Sequence, residues 1–222
     1  MIVGVLGFIG SGKGTVGEIL SEKGFLPLSF GSAVKDATAS MFGWARELLE
    51  GDTEFSRQFR EMPDGFWSQE FGFEFTPRRA LQLMGTEVGR DIFHPDLWVI
   101  KIKQQMHTLM SMGSENFVIT DVRFPNEMKM IQSEGGILIE VQRGIQPHWM
   151  SVAARANRGD TKAVEFMRKE GIHESEWKWI GHDIDYVIDN NGTKEDLKKK
   201  VITCLKKSFG SSMIEESFEG VL

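Results

Sequence analysis

The chain has 222 residues and a formal net charge of −6, with 41% hydrophobic and 26% charged residues. This length suits one α/β domain with an insertion rather than two independent domains. The negative charge argues against a general nucleic-acid binder, which needs a basic stripe, and a lone cysteine, Cys204, excludes an internal disulfide. No stretch is long and apolar enough to span a membrane, and residues 2–6 already form an apolar run, so we expect no signal peptide and a cytoplasmic protein.

Short apolar runs alternate with helical patterns along most of the chain. Strands are predicted at residues 2–6, 25–30, 116–121, 136–142 and 184–188. Helices are predicted to follow them, with the closing amphipathic helix at residues 193–207. Strands that alternate with helices predict an α/β fold with a doubly wound parallel sheet and right-handed crossovers.

Two segments interrupt this alternation. Residues 46–75 are rich in charged and aromatic side chains, and their apolar residues follow neither a helical nor a strand period. They predict a partly helical insertion that covers the functional site. Helices that begin at Thr76-Pro77 and at His94-Pro95 extend this inserted region to about residues 46–112. Residues 146–182 are polar, basic and rich in tryptophan, which predicts a lid, with a solvated helical hairpin as the alternative. We treat residues 1–210 as one domain and expect residues 211–222 to be a flexible tail.

The sequence Gly-Phe-Ile-Gly-Ser-Gly-Lys-Gly-Thr occupies residues 7–15, after the first predicted strand and before a predicted helix. That context predicts a phosphate-binding loop, in which backbone N–H groups and the helix N-terminus face phosphate oxygens. Lys13 would reach the β- and γ-phosphates of ATP, while a tight turn with an incidental lysine is the alternative. Gly14 follows the lysine directly, so the hydroxyl near Mg²⁺ would come from Thr15. The residues predicted to bind the nucleotide here are Gly10, Ser11, Gly12, Lys13, Gly14 and Thr15.

A carboxylate and several arginines follow the loop in the chain. Asp121 comes at the end of a predicted strand, where it could hold Mg²⁺, although a helix-capping aspartate is the alternative. Arg123 comes two residues later and should point out of the same sheet edge. With Arg78, Arg79 and Arg90 it makes a candidate guanidinium cluster for a second phosphate, with Arg79 and Arg123 favoured, because the planar guanidinium grips phosphate oxygens bidentately. A solvated face or a structural ion pair is the alternative for each arginine.

Several stretches resemble the deoxynucleoside monophosphate kinases of tailed bacteriophages, within the P-loop nucleotide kinases. They lie in order over most of the chain. The first is generic to P-loop kinases, whereas the Arg-Arg helix and the Asp-x-Arg strand end are more specific. The matching stretches are residues 10–15, Lys35-Asp36-Ala37, residues 78–87, Leu97-Trp98-Val99, Asp121-Val122-Arg123, Arg143, residues 173–176 and residues 189–193.

The resemblance implies a five-stranded parallel sheet with an acceptor-binding region and a lid, and Mg²⁺-dependent transfer of the ATP γ-phosphoryl to a deoxynucleoside 5′-monophosphate. Catalysis would come from Lys13, Arg79, Asp121 and Arg123, with the metal held by Thr15 and Asp121. The donor nucleotide would also meet Arg143, Asn191 and Gly192. The acceptor-binding set implied by the resemblance is Asp36, Arg78, Arg79, Gln82, Trp98 and Arg123. A helix-surface aspartate is the equal alternative for Asp36.

Two other functions fit the same patterns. One is another P-loop small-molecule kinase, of the dephospho-coenzyme A or phosphomevalonate type. The other is a nucleotide-dependent switch or ATPase, in which the aromatic side chains of residues 46–75 would form a partner surface. The sequence leaves open which bases are accepted, whether ribose is distinguished from deoxyribose, and whether the chain forms a homodimer. We expect no nucleic-acid or membrane partner, and the host cytoplasm as the location if a phage encodes the chain.

Overall fold

The computed structural model describes residues 1–210, so the predicted tail at residues 211–222 lies outside the described residues. The chain divides into two compact units. The first combines Met1–Ser29 with the chain from His107 onward, and the second is Phe30–Met106.

The first unit is built on a sheet of five parallel strands, as predicted. The strands are β1 (Ile2–Leu6), β2 (Leu26–Leu28), β3 (Phe117–Ile119), β4 (Ile137–Gln142) and β5 (Tyr186–Asp189). Their order across the sheet is β2-β3-β1-β4-β5, so that β1 pairs with β3 through Val3↔Val118 and with β4 through Gly4↔Leu138. The N-terminal strand is therefore central, and it is fully buried.

Within the first unit, helices pack on both faces of this sheet. The helices of the two units are α1 (Lys13–Ser21), α2 (Phe30–Phe42), α3 (Glu54–Glu61), α4 (Gly65–Phe71), α5 (Pro77–Leu83), α6 (Leu97–Ser111), α7 (Pro125–Ser133), α8 (Met150–Asn157), α9 (Thr161–Lys169) and α10 (Lys194–Phe209). On one face, Val3 and Val5 share a core cluster with side chains of α1 and α10. On the other face, Gly4 lets Ile131 of α7 approach the strand, since a Cβ there would lie 2.6 Å from the Ile131 side chain.

The helices α1 and α10 are also joined by ion pairs at their exposed edges. Lys194 lies 3.3 Å from Glu18, and Lys198 lies 3.5 Å from Glu22. Exposed pairs of this kind contribute at most about 1 kcal/mol each, so burial of apolar side chains remains the main source of stability.

The second unit has a core of aromatic side chains rather than a sheet. Phe75 is buried at its centre, with ring centroids 5.2 Å from Phe42 and 5.0 Å from Phe71. Two indole N–H groups fix the surrounding segments, because Trp44 donates to Asp64 at 2.7 Å and Trp67 donates to the Phe42 carbonyl at 3.1 Å. The aromatic residues of the predicted insertion thus serve in part as a core.

Several details differ from the predicted elements. The second strand ends at Leu28 and Phe30 already begins α2, while the last strand begins at Tyr186 rather than residue 184. Asp121 lies two residues beyond the end of β3 rather than at its last position. A π-helix, Met84–Phe93, continues α5, and no sequence pattern predicted it. The predicted lid contains two helices, α8 and α9.

Truncating a side chain of the sheet core should destabilise the first unit strongly. Ile139 of β4 is fully buried in the core cluster, so Ile139→Ala should lower the free energy of unfolding by about 2–5 kcal/mol. Val187 of β5 is more than half exposed, and Val187→Ala is the matched control, with an expected change below about 1 kcal/mol. Urea denaturation followed by circular dichroism measures both, and equal losses would contradict the assigned core.

Candidate active site

The predicted phosphate-binding loop connects β1 to α1 in the first unit. Gly10 and Gly12 adopt positive φ angles of 77° and 104°, which a glycine tolerates without strain. Gly12 is the N-cap of α1 and supplies no side-chain hydrogen bond to the first turn of the helix. The N-terminal amide groups and the positive end of the helix dipole therefore face the loop without a side-chain cap, which is the arrangement that binds a phosphate.

Lys13 lies within this loop and is bound to protein oxygens. Its ammonium group donates to the carbonyl of Gly7 at 2.7 Å and to the carbonyl of Phe8 at 2.8 Å. Burial lowers the pKa of Lys13 to about 8, with a further lowering from the nearby Arg123 cation and an opposing contribution from Glu176 and Asp121. These four side chains therefore share one electrostatic environment.

Asp121 and Ser29 follow two neighbouring strands, β3 and β2. The Ser29 hydroxyl donates to the Asp121 carboxylate at 2.7 Å, which orients one of its oxygens. Thr15 lies in the first turn of α1. A carboxylate and hydroxyl groups offer the oxygen ligands that Mg²⁺ prefers, and Mg²⁺ takes most of its other ligands from water and substrate phosphates. Within residues 1–210 no group of three or more metal-binding side chains occurs, which a magnesium site of this kind does not require.

Arg123 is fixed at both its backbone and its side chain. Its backbone N–H donates to the carboxylate of the buried Glu127 at 2.6 Å, and Arg123 directly precedes Phe124, the N-cap of α7. Its guanidinium group donates to the Ser175 carbonyl at 3.3 Å and to the Glu176 carboxylate at 3.1 Å. Ser175 and Glu176 belong to the segment predicted to be the lid.

The remaining predicted donor residues follow β4 and β5. Arg143 is exposed directly after β4, and Asn191 and Gly192 follow β5. The Asn191 side chain accepts a hydrogen bond from the Gly144 N–H at 2.8 Å, which joins the two strand ends. Because the strands are parallel, all these residues lie at the edge where Lys13 and Asp121 also lie.

Asn190 is a residue of this edge to which the sequence analysis gave no role. It is buried, and its side-chain amide donates to the Ser11 carbonyl at 2.8 Å. It also accounts for the glycine at position 12, since a Cβ on Gly12 would clash with the same amide. The only sequence signal was its position between Asp189 and Asn191 in a stretch matched by the family resemblance.

The other predicted acceptor residues belong to the second unit. The Arg79 guanidinium lies over the Phe73 ring, 4.8 Å from its centroid, and Arg78 forms an ion pair with Glu61 at 2.8 Å. Asp36 forms an ion pair with Arg46 at 2.6 Å. Gln82 lies in α5 and is half-buried. The roles of these residues stay predictions.

Trp98, predicted to bind the acceptor, is 7% exposed. Its indole N–H donates to the Gly85 carbonyl at 2.8 Å, and its ring occupies the space that a Cβ on Gly89 would need. These contacts hold Trp98 against the π-helix Met84–Phe93. Helices of this type are rare and often accompany functional sites.

The tryptophans of the predicted lid are packing residues. Trp177 and Trp179 are both buried, and the Trp179 ring lies 5.2 Å from the ring of Phe8 in the phosphate-binding loop. No helix in residues 1–210 combines the length and the apolar character needed to cross a membrane.

Comparison with known proteins shows which proteins this chain is similar to. The model of the deoxynucleotide monophosphate kinase family matches residues 52–149. A protein of Acanthamoeba polyphaga mimivirus, provisionally named a deoxynucleotide monophosphate kinase, is 27% identical over 214 residues, which cover 92% of this chain and 96% of that protein. The deoxynucleoside-5′-monophosphate kinase of Escherichia phage T5 is 42% identical over 57 residues, or 26% of this chain and 22% of that protein.

Solved structures resemble the fold only loosely. A dephospho-CoA kinase from Campylobacter jejuni has a TM-score of 0.42 and 16% identity, covering 93% of this chain and 96% of its own. The shikimate kinase of Aquifex aeolicus has a TM-score of 0.39 and 13% identity, covering 93% and 97%. Likenesses at this level say nothing about function. The family model and the viral relatives, however, confirm the resemblance inferred from the sequence: this chain is similar to the deoxynucleotide monophosphate kinases.

Proposed function

We propose that the chain transfers the γ-phosphoryl group of ATP to a deoxynucleoside 5′-monophosphate, giving the diphosphate and ADP, with Mg²⁺ as cofactor. The observation that carries this proposal is the phosphate-binding loop, with Lys13 in one electrostatic environment with Asp121 and Arg123. The matches to the deoxynucleotide monophosphate kinases support the choice of acceptor. The product is a precursor for DNA synthesis.

The donor nucleotide fits the loop by charge and by backbone geometry. The α1 N-terminus supplies N–H groups, and Gly10 and Gly14 leave open space where other residues would carry a Cβ. Lys13 would exchange the carbonyls of Gly7 and Phe8 for phosphate oxygens, because an anionic oxygen is the stronger acceptor. Arg143, Asn191 and Gly192 would then contact the remainder of the donor.

Mg²⁺ would be held by Thr15 and Asp121 together with phosphate oxygens of ATP. The Ser29 hydroxyl keeps the Asp121 carboxylate oriented toward that task. When bound, the ion neutralises negative charge that develops between the β- and γ-phosphates.

The acceptor phosphate would be bound by Arg123 and by Arg79, with Arg78, Gln82, Asp36 and Trp98 as further acceptor residues. An oxygen of the acceptor phosphate attacks the γ-phosphorus, a new P–O bond forms, and the bond from that phosphorus to the β–γ bridging oxygen breaks. The acceptor is already anionic, so no general base is required. Catalysis then rests on alignment of the two phosphates and on stabilisation of charge by Lys13 and the arginines.

The first prediction concerns activity itself. ADP release coupled to an indicator reaction, with ATP·Mg²⁺ and each deoxynucleoside monophosphate in turn, should show turnover that requires the acceptor and stops when EDTA removes the metal. Lys13→Ala should reduce kcat by about 100-fold or more, because one preorganised charge contributes about 3–4 kcal/mol to the transition state. Lys129→Ala on the exposed side of α7 is the matched control and should leave the rate unchanged.

Other outcomes of this assay would replace the proposal. ATP turnover that needs no acceptor would favour the switch or ATPase. Turnover with a coenzyme A or mevalonate precursor, and none with deoxynucleoside monophosphates, would favour another small-molecule kinase.

The second prediction concerns pH. The pKa of Lys13 is lowered to about 8, and bound phosphates should raise it. Binding of ATP above pH 8 must therefore take up a proton. The affinity for ATP should therefore be nearly constant below pH 8 and should fall about tenfold per pH unit above it. Titration calorimetry at pH 7, 8 and 9, in buffers with different ionisation enthalpies, measures both the affinity and the proton uptake.

Lys13→Met is the control for this experiment. Its affinity should be lower at pH 7 and should not change between pH 8 and 9, apart from any titration of ATP itself. Equal proton uptake by the variant and the unmodified chain would show that another group is responsible.

The third prediction separates two arginines of the second unit. Arg79→Ala should raise the KM for the deoxynucleoside monophosphate about 10- to 100-fold, the loss expected for a charge-assisted hydrogen bond, with little change in the KM for ATP. Arg57→Ala removes an exposed arginine of α3 that pairs with Glu54, and its KM should stay within about twofold. A similar effect of both substitutions would contradict a specific role for Arg79.

A further inference from the structure

The turn at residues 173–176, His-Glu-Ser-Glu, was matched by the resemblance, yet neither the sequence nor the proposed reaction gave it a role. It forms a short 3₁₀ turn, Glu174–Glu176, in the segment predicted to be the lid. The His173 imidazole caps it by accepting a hydrogen bond from the Ser175 N–H at 3.3 Å. The turn directs a carbonyl and a carboxylate at the guanidinium group of Arg123.

The segment that follows this turn is held by one side chain, Asn157 at the end of α8. The Asn157 amide donates to three carbonyl oxygens, those of Trp177 at 3.0 Å, Lys178 at 3.2 Å and Ile180 at 2.8 Å. An amide group shared among three acceptors fixes the path of the chain at that point. Residues 177–180 are therefore tied to the end of α8, where the chain turns into α9.

The same segment also contacts the phosphate-binding loop. The Trp179 indole donates to the Glu176 carbonyl at 3.1 Å, and its ring packs against Phe8, which also meets Trp149 at 5.5 Å. Phe8 in turn supplies one of the carbonyls that hold Lys13. The turn is thus supported on one side by Asn157 and on the other by the loop that carries Lys13.

We propose that Glu176 is a positioning residue for the reaction: it holds the Arg123 guanidinium beside the phosphate-binding loop so that Arg123 meets the acceptor phosphate already oriented. The inference rests on the proposed function of Arg123. The backbone bond to Glu127 fixes where Arg123 leaves the main chain, and the contacts to Ser175 and Glu176 fix where its side chain ends. Of the five guanidinium N–H groups, those not used by the turn remain available for phosphate oxygens.

The charge of Glu176 has a second effect on the same site. The Arg123 cation lowers the pKa of Lys13, and the Glu176 carboxylate acts in the opposite sense on Lys13. A carboxylate beside two cations reduces their mutual repulsion before the substrate binds. The segment predicted to be the lid therefore contributes a fixed negative charge, the Glu176 carboxylate, to the site.

The test is a double-substitution cycle on steady-state kinetics. Glu176→Gln keeps the shape of the side chain and removes its charge, and it should lower kcat/KM for the deoxynucleoside monophosphate about tenfold while the KM for ATP changes little. Glu176→Asp should recover part of the loss. In an Arg123→Ala background, Glu176→Gln should cost less than about twofold further, because the residue acts through Arg123. Equal losses with and without Arg123 would overturn the proposal.

The matched control lies in the same turn. Glu174 pairs with Lys178 at 3.7 Å instead of Arg123, and Glu174→Gln should leave kcat/KM within about twofold. Thermal unfolding of each variant identifies any that simply fails to fold. If Glu174→Gln lowered kcat/KM as much as Glu176→Gln does, the turn would have only a structural role.

A spectroscopic readout separates this inference from the proposed function. The guanidinium ¹⁵N signals of Arg123, assigned by their loss in Arg123→Lys, should show restricted rotation in the unmodified chain and in Glu174→Gln, and free rotation in Glu176→Gln. Absence of turnover with every deoxynucleoside monophosphate would overturn the proposed function while this readout still decides whether Glu176 positions Arg123. Free rotation in the unmodified chain would overturn the positioning role whatever the enzyme does.

Discussion

The parallel pairing of β1 with β3 on one side and with β4 on the other is the constraint on which the site depends. Because all the strands run in one direction, the loops that follow them meet at one edge of the sheet. Lys13 follows β1, and Asp121 and Arg123 follow β3 at that edge. Gly4 makes the pairing compatible with close packing of α7, which carries the Glu127 carboxylate that holds the Arg123 backbone.

Two cations of the first unit, Lys13 and Arg123, are held by protein oxygens. Lys13 contacts two carbonyls of its own loop, and Arg123 contacts the turn that contains Glu176. Such contacts keep each charged side chain in place. They are also easily exchanged when a phosphate binds, because a phosphate oxygen with full negative charge is a stronger acceptor than a carbonyl oxygen. A site that is already organised for charge requires little rearrangement when the transition state forms, which is the main source of catalysis in phosphoryl transfer.

Local patterns predicted much of this arrangement. The apolar run before a Gly-rich turn predicted β1, the loop and α1, and the Thr76-Pro77 pair predicted the start of α5. What the sequence could not predict depends on contacts between distant residues. The π-helix Met84–Phe93 is held by Trp98, whose indole bond to Gly85 has no local signature, and Arg123 meets Glu176 only because the fold brings together side chains that are 53 positions apart. The family resemblance assigned acceptor-binding roles to Asp36 and Trp98. These roles also depend on contacts that no local pattern encodes, so they stay predictions.

The hydrogen bond between the Asn190 side chain and the Ser11 carbonyl has a consequence for folding during synthesis on the ribosome. The glycine-rich loop is synthesised among the first residues, whereas Asn190, whose amide supports it, is 179 positions away from Ser11. The strand β5, which pairs with β4 at the edge of the sheet, is synthesised equally late. At about 5–20 residues per second, some ten seconds or more separate the two events. Nascent chains that stop before β5 carry the complete glycine-rich motif without this hydrogen bond, so the loop gains its support near the end of translation rather than when the motif appears.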